Sequence, residues 1–466
     1  MQSGACSGDD ARNQGKSGVR RDADNPRMTE PSIWSYQDNF DFRRDIDPDS
    51  PFHHPLEGHR GQYSRRKMLT AFHLDSGGRL RPGAKPKDAE AVLFGGHIGC
   101  GKSTELRDYA RLFQQTYTVH HLELTKLLDI NNLRFSDLLI ALVHALTNTF
   151  ADEKLSLRPD PVFLNPVLGW FDTRIVKQER FKDIEGEIKT DIKAQGGLPW
   201  LASLMATMTA KVRGGASYRE ELRREIRDGF LQLLVHFNAL IVHANALLAH
   251  QRRGPLLFIM DGTDKLSKDD AQAFFHADVN QLGQIMTNLI VCAPISVLLE
   301  SGITAQRFTK VQLPMVKIFE ADGTPREQDE DALIDLVLKR MPLRCFDDRE
   351  TVRLLVQKSG GHVRDLLRLI RACFSLLDGD QITRMVAEQA VQEVASEYRR
   401  LVQQSDWADL VAIDQSQGEE KDRTEARLRL LYDLVLLEYN SYWWCSHPLV
   451  RTLRPYQNAL TRLATP

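Results

Sequence analysis

The sequence predicts an α/β fold, a parallel sheet with helices between its strands, followed by a helical lid and a small winged-helix-like end. Three observations carry that prediction. Short apolar strand signals alternate with helix-period segments from residue 91 to about 316, and strands alternating with helices pair in parallel. A glycine-rich stretch separates the first strand from the helix after it. Beyond Ile318 the strand signals stop and helical periodicity continues alone.

Composition sets limits on the rest. A chain of 466 residues, 42% hydrophobic and 27% charged, has ordinary globular composition and room for two or three domains. A formal net charge of −2 provides no global attraction to nucleic acid or anionic lipid, so such binding would need a local patch. Cys6, Cys100, Cys292, Cys345, Cys373 and Cys445 form no CxxC pair and no metal-ligand cadence, which predicts reduced thiols without a zinc or disulfide framework. No apolar run approaches the length of a membrane span and the N-terminus has no apolar signal core, so a cytoplasmic protein without a membrane partner is expected.

Residues 1–30 hold almost no large apolar side chain and cannot offset the entropy of ordering; residues 1–50 are expected to be disordered or extended, and Met28 is a second candidate start. A core is expected over residues 51–320. It begins after a Gly/Pro-rich connector with the strand Ala91-Val92-Leu93-Phe94, then a helix from Ser103 to Gln115, a strand near Tyr117 to Leu124, and a helix from Ser136, its predicted cap, to Phe150. Residues 151–220 read as a partly helical insertion with weak periodicity and the pairs Gly196-Gly197 and Gly214-Gly215. One long helix follows, with Leu222, Ile226, Phe230, Leu233, Phe237, Leu240, Ala244 and Leu247 on its apolar face. Strands are expected at Leu256 to Met260, Leu289 to Ala293 and Val311 to Val316. The lid, residues 321–410, reads as four helices: Asp331 to Arg340, Arg349 to Ser359, His362 to Leu377 and Ile382 to Val402. A polar hinge near Asp414 to Asp422 leads into a terminal unit, residues 411–466, with a helix from Thr424 to Glu438 and the aromatics Tyr442, Trp443 and Trp444.

The chemistry concentrates in Gly96-His97-Ile98-Gly99-Cys100-Gly101-Lys102-Ser103, followed by Thr104. This is GxxxxGK[ST] between a strand and a helix, the context in which that motif cradles phosphate. Its glycines let backbone N–H groups turn inward, and the helix presents its positive end to the same charge. The spacing assigns Lys102 to the β and γ phosphates and Ser103 to Mg²⁺, so ATP and Mg²⁺ are the expected ligands. Dinucleotide binding fits less well, since Gly99-Cys100-Gly101 lacks the third glycine of GxGxxG. Leu256-Leu257-Phe258-Ile259-Met260-Asp261 ends an apolar strand in an acid, which suits Asp261 to the metal's shell. No glutamate follows it. The next acid, Asp264, is a candidate general base, with capping of the following helix as the alternative.

Arg364, in Ser359-Gly360-Gly361-His362-Val363-Arg364 at the start of a lid helix, is a candidate γ-phosphate contact on lid closure. Arg307 reads as a loop arginine or a finger across a subunit interface, and Ser296 as a cap or a phosphate sensor. The pairs His53-His54 and His120-His121 read as surface or strand histidines, without metal spacing. Cys100 reads as a small filler.

The loop, the strand ending at Asp261 and the lid segment Ser359 to Arg364 together resemble AAA+ and STAND-type P-loop ATPases, most of all prokaryotic ones, over roughly residues 55 to 450. The resemblance implies an AAA+/ASCE-like sheet of order 5-1-4-3-2, with residues 51–320 as the ATPase core. The run Glu438-Tyr439-Asn440, Trp443-Trp444 and His447-Pro448-Leu449 looks like the tails of bacterial ATPases of this kind. The missing Asp-Glu pair points to slow turnover. The resemblance implies a nucleotide-dependent regulatory or defence switch, working as a homo-oligomer or through a separate effector protein; the alternative is a DNA-associated ATPase similar to origin-recognition or transposition ATPases.

Overall fold

The computed structural model describes residues 31–464 apart from 45, 61–62, 189–191, 193–195, 215–218, 300–306, 420–421 and 440–442. The expectations placed on residues 1–30, Met28, Gly215 and Tyr442 lie outside the described residues. Within the stretch expected to be disordered or extended, Ile33–Phe40 forms a 3-10 helix. Ile33 and Phe40 are buried, and the rings of Trp34 and Phe40 lie 6.0 and 6.2 Å from Phe374 of the lid. Three apolar anchors in eight residues supply the burial that residues 1–30 lack.

Helix α1 (Tyr63–Ala71) precedes strand β1 (Ala91–Gly96), helix α2 (Lys102–Phe113), strand β2 (Thr118–Glu123) and helix α3 (Phe135–Ala151). Strands β3 (Leu256–Asp261), β4 (Asn288–Pro294) and β5 (Thr309–Gln312) complete one parallel sheet of order β5-β1-β4-β3-β2. Alternation along the strands feeds two cores. Leu256, Phe258 and Met260 face the layer that holds α3 and the insertion, while Leu257 and Ile259 face α1 and α2. The fold is α/β of the P-loop type, with a helical C-terminal region.

Ser136 is not a cap: it is buried inside α3, which starts one residue earlier. Arg134 is the N-cap residue, and its backbone N–H donates to Asp137 Oδ2 at 3.1 Å. The insertion contains α4 (Pro161–Phe171) and α5 (Gly197–Arg213), whose Leu164, Trp170, Leu204 and Met208 merge with the core of α3. Its periodicity is weak because the helices meet neighbours on several sides. The long helix expected next is two: α6 (Arg219–Asp228) and α7 (Phe230–His250), parted at Gly229, where a Cβ would lie 2.6 Å from Trp170 Cζ2. Helix α7 is long and apolar enough to cross a membrane by length and composition, although its inner face, including Leu233, Phe237 and Ala244, packs in the core.

The lid is α8 (Glu327–Leu338), α9 (Arg349–Ser359), α10 (Val363–Leu376) and α11 (Arg384–Arg399). A further helix, α12 (Asp406–Gln415), which the sequence does not predict, runs into the start of the expected hinge near Asp414 to Asp422; its Asp406, Asp409 and Asp414 accept from Arg429, Arg427 and Arg451. Helix α13 (Glu425–Tyr432) stops short of the expected Glu438. Leu434 turns left-handed (φ 60°), and Leu436–Glu438 becomes β6, antiparallel to β7 (Trp444–Ser446). Helices α14 (Pro448–Arg451) and α15 (Arg454–Ala464) end the chain.

Candidate functional site

The glycine-rich loop leaves the C-terminal edge of β1 and enters α2. Gly99 (φ 88°) and Gly101 (φ 104°) take left-handed backbone that side chains resist, and Gly101 is the N-cap residue of α2. The loop therefore wraps the positive end of a helix twelve residues long. Lys102, 3% exposed, donates to Gly96 O at 2.9 Å and His97 O at 2.7 Å, and pairs with Asp264 Oδ2 at 2.8 Å. Burial alone would depress its pKa; the attraction of Asp264 outweighs burial and raises it. Burial likewise pushes the Asp264 carboxyl up, and Lys102 more than offsets that and holds it below the usual range. Ser103 Oγ donates to Asp261 Oδ1 at 3.0 Å. Asp264 is thus the counter-ion of Lys102 in this arrangement, and its Oδ1 is buried without a hydrogen-bond partner. Ser103 and Asp261, bonded to each other, and Asp264 supply hard oxygen donors of the kind that fit Mg²⁺, with the Cys292 thiol beside the two carboxylates.

The lid and the C-terminal unit hold the loop from above. Arg364 N donates to Gly99 O at 3.3 Å, and its side chain lies against Gly99, where a Cβ would come within 2.8 Å of Arg364 Cβ. His362 Nε2 lies 2.7 Å from Ile98 O. Its Nδ1 and the Nε2 of His447 approach the same oxygen, Asp365 Oδ2, at 3.0 and 3.1 Å. Asp365 also receives Arg368 and the Tyr398 hydroxyl. The carboxyl would be raised by burial, but the two histidines hold it well below the usual range. From β6, Glu438 N donates to His97 Nε2 at 2.8 Å. Burial, reinforced by His362 and Lys102, holds His97 neutral, its pKa well below the ordinary value. Tyr439 donates its hydroxyl to Gly360 O.

Two adjoining clefts open beside the loop. The first is lined by Gly99, Lys102, Ser103, Thr104, Asp264 and Arg364. The second, about 610 Å³ of open space, lies between Phe52, His54 and Leu56, the side of α2, and Leu336 and Val363 of the lid. Arg340, 4% exposed, lines both, and its Nε has no hydrogen-bond partner.

No family model and no curated protein matches this chain. Among solved structures, the crystal structure of Cdc6p from Pyrobaculum aerophilum aligns with 90% of this chain and 100% of that chain, at 12% identity and a TM-score of 0.33. At that score the likeness is loose, and the sheet order rests on the strand pairings themselves.

The fold brings Gly96 to Thr104, Asp261, Asp264 and Arg364 to one edge of the sheet. Arg307 does not join them. It precedes β5 at the opposite end of the strands and packs near Gly283. Ser296 lines a separate cleft with Lys268 and Tyr432. Other residues at the site gave no sequence signal. His121 Nε2 lies 3.7 Å from Asp261 Oδ2, and Glu123 stands in register with Asp261 across β2 and β3, bonded to Arg107 and Lys126. Arg60 donates to Pro314 O and Cys100 O and clamps the loop from outside. Only the strand order, which no local pattern encodes, places β2 beside β3.

Proposed function

We propose that the chain is an ATP-binding, slowly hydrolysing switch of the AAA+ kind, in which nucleotide at the glycine-rich loop governs the docking of the lid and C-terminal unit. The observation that carries this reading is the direct grip of those units on the loop, through His362 on Ile98 O, Arg364 N on Gly99 O and Glu438 N on His97. A ligand that reorders the loop carbonyls changes the partners of all three, so binding energy converts into domain position.

In this reading the phosphates occupy the first cleft and the base enters the second, among Phe52, Leu56, Leu336 and Val363. Lys102 leaves Asp264 for the β and γ phosphates, and that exchange frees Asp264 to accept a proton from the attacking water. Ser103 and Asp261 would hold Mg²⁺, whose charge would offset that developing on the phosphates. Arg364 reaches the γ-phosphate from the lid. The output passes to a second copy or to a separate effector protein.

Hydrogen exchange over residues 436–450 tests the proposal. A non-hydrolysable ATP analogue is expected to speed exchange there relative to ADP; equal protection with both nucleotides ends the switch reading. A third arm adds duplex DNA. Protection that appears only with DNA transfers the assignment to the DNA-associated alternative, for which Arg454 is a candidate contact, Arg451 being held by Asp414.

A further inference from the structure

Helix α7 is 21 residues long and carries no Asp, Glu, Lys or Arg. Exposed Gln232 and His250 lie to one side of an apolar outer stripe, and such a stripe is normally buried. Here it is not. Leu231, Val235, Ala239, Val242, Ala246 and Ala249 are exposed, at steps of three and four residues, and fall within an arc of about 100° opposite the buried face. Leu231 is 71% exposed, Val235 67% and Val242 51%. Neighbouring elements extend the apolar strip. On one flank Val162, also exposed, follows the Asp160 N–H that donates to His243, and on the other exposed Met286 donates its N–H to Asn238.

We infer that this face is the interface of a two-fold dimer in which α7 of one copy packs antiparallel on α7 of a second. The stripe is self-complementary in that direction. With the two-fold axis between Leu240 and Ile241, Val235 faces Ala246 and Ala239 faces Val242, so each valine meets an alanine and the backbones approach closely. The charges at the ends agree. Asp228, exposed before α7, meets Arg253, exposed after it, once at each end of the pair. Arg227 is within electrostatic reach of Asp278, on the chain's own surface. Parallel in-register pairing would instead stack valine on valine, alanine on alanine, and like charge on like charge.

The helix is about 31 Å long, and a strip of that length between two helices falls short of the roughly 1,000 Å² of a stable interface. Val162 and Met286, on either flank, widen it. The chain's residues 1–30 contain no Leu, Ile, Phe, Tyr or Trp, so they offer little to cover this face.

The test is the mass of the full chain in solution, without nucleotide. Wild type is expected as a dimer, and Val242→Asp, which buries a carboxylate at the seam, should raise the dissociation constant by about a hundredfold or more with unchanged circular dichroism. Geometry is read in a Cys6→Ser background. A mixture of Val235→Cys and Ala246→Cys chains should cross-link on oxidation, and Val235→Cys alone should not. A wild-type monomer, a dimer indifferent to Val242→Asp, or self-linking of Val235→Cys would each overturn the inference. So would a monomer that floats with phosphatidylcholine–phosphatidylglycerol vesicles and loses them on Val242→Asp, since the face would then be a lipid contact.

Discussion

The loop between β1 and α2 and the hairpin β6–β7 that closes over it meet in one site but are specified in different ways. The loop is local: Gly96 to Thr104 adopts its shape through its own glycines and the helix it opens. The hairpin is held by partners far away in sequence, with Glu438 N on His97, Tyr439 on Gly360, and Leu437 against Gly360 in the core cluster that also holds Phe94, Cys100 and Leu106. A phosphate cradle can therefore be encoded in nine consecutive residues, whereas its regulation requires the whole chain to fold. The two regions should fail differently when altered.

The largest effect is expected at the loop. Lys102→Met removes the phosphate ligand and also leaves the Asp264 carboxylate buried without its counter-ion. Breaking a buried pair from one side costs about 3–5 kcal/mol, so ATP binding should vanish by calorimetry while the free protein's melting point falls. Adding Asp264→Asn should restore most of the stability and none of the binding. If Lys102→Met binds ATP normally, the loop is not the nucleotide site. If it loses binding at unchanged stability, the Lys102–Asp264 pair does not hold the free loop together.

This contrast also separates what the sequence encodes locally from what it does not. The strands ending at Gly96 and Asp261 and the lid turn before Arg364 are legible because apolar runs stop at glycine or acid, and the alternation of strands with helices implies a parallel sheet. His121 and Glu123 have no local signal: their nearness to Asp261 depends on β2 pairing with β3, which the sheet order implied by the resemblance anticipates but no run of residues encodes. Helix α12 hides for a related reason. Its acids make a poor helical pattern until Arg427, Arg429 and Arg451 arrive to neutralise them. Helix α13 reads as too long since nothing local distinguishes the apolar residues Leu436 and Leu437 of a strand from another helical turn.

A smaller effect is expected from loosening the hairpin without touching the loop. Leu437 is fully buried, and Leu437→Ala should cost about 2–5 kcal/mol of packing. In the proposed switch that loss falls on the docked state. Exchange over residues 436–446 should accelerate and the apparent affinity for ATP should rise, since less docking energy opposes the nucleotide. Weaker ATP binding in this variant would mean that the hairpin supports the nucleotide site and does not oppose it.

The smallest effect is a pH dependence of the docked unit. Burial depresses the pKa of His97 and of His447, the latter despite its contact with Asp365. A histidine whose folded pKa lies below its free value of about 6.5 stabilises the docked state fully above that pH, and the contribution is lost as pH falls, at up to about 1.4 kcal/mol per pH unit for each group. Lys102 is raised and Asp365 lowered well away from this range, so neither charge changes between pH 7.5 and 5. Acidification through that window should therefore speed exchange in the hairpin and α14, and also in the sheet, where burial lowers His120 of β2 to about 4. His97→Gln keeps an acceptor for Glu438 N but cannot titrate, and should reduce the slope by the share that His97 carries. An unchanged slope would exclude His97 and leave His447, at the seam between α10 and α14, as the next residue to replace.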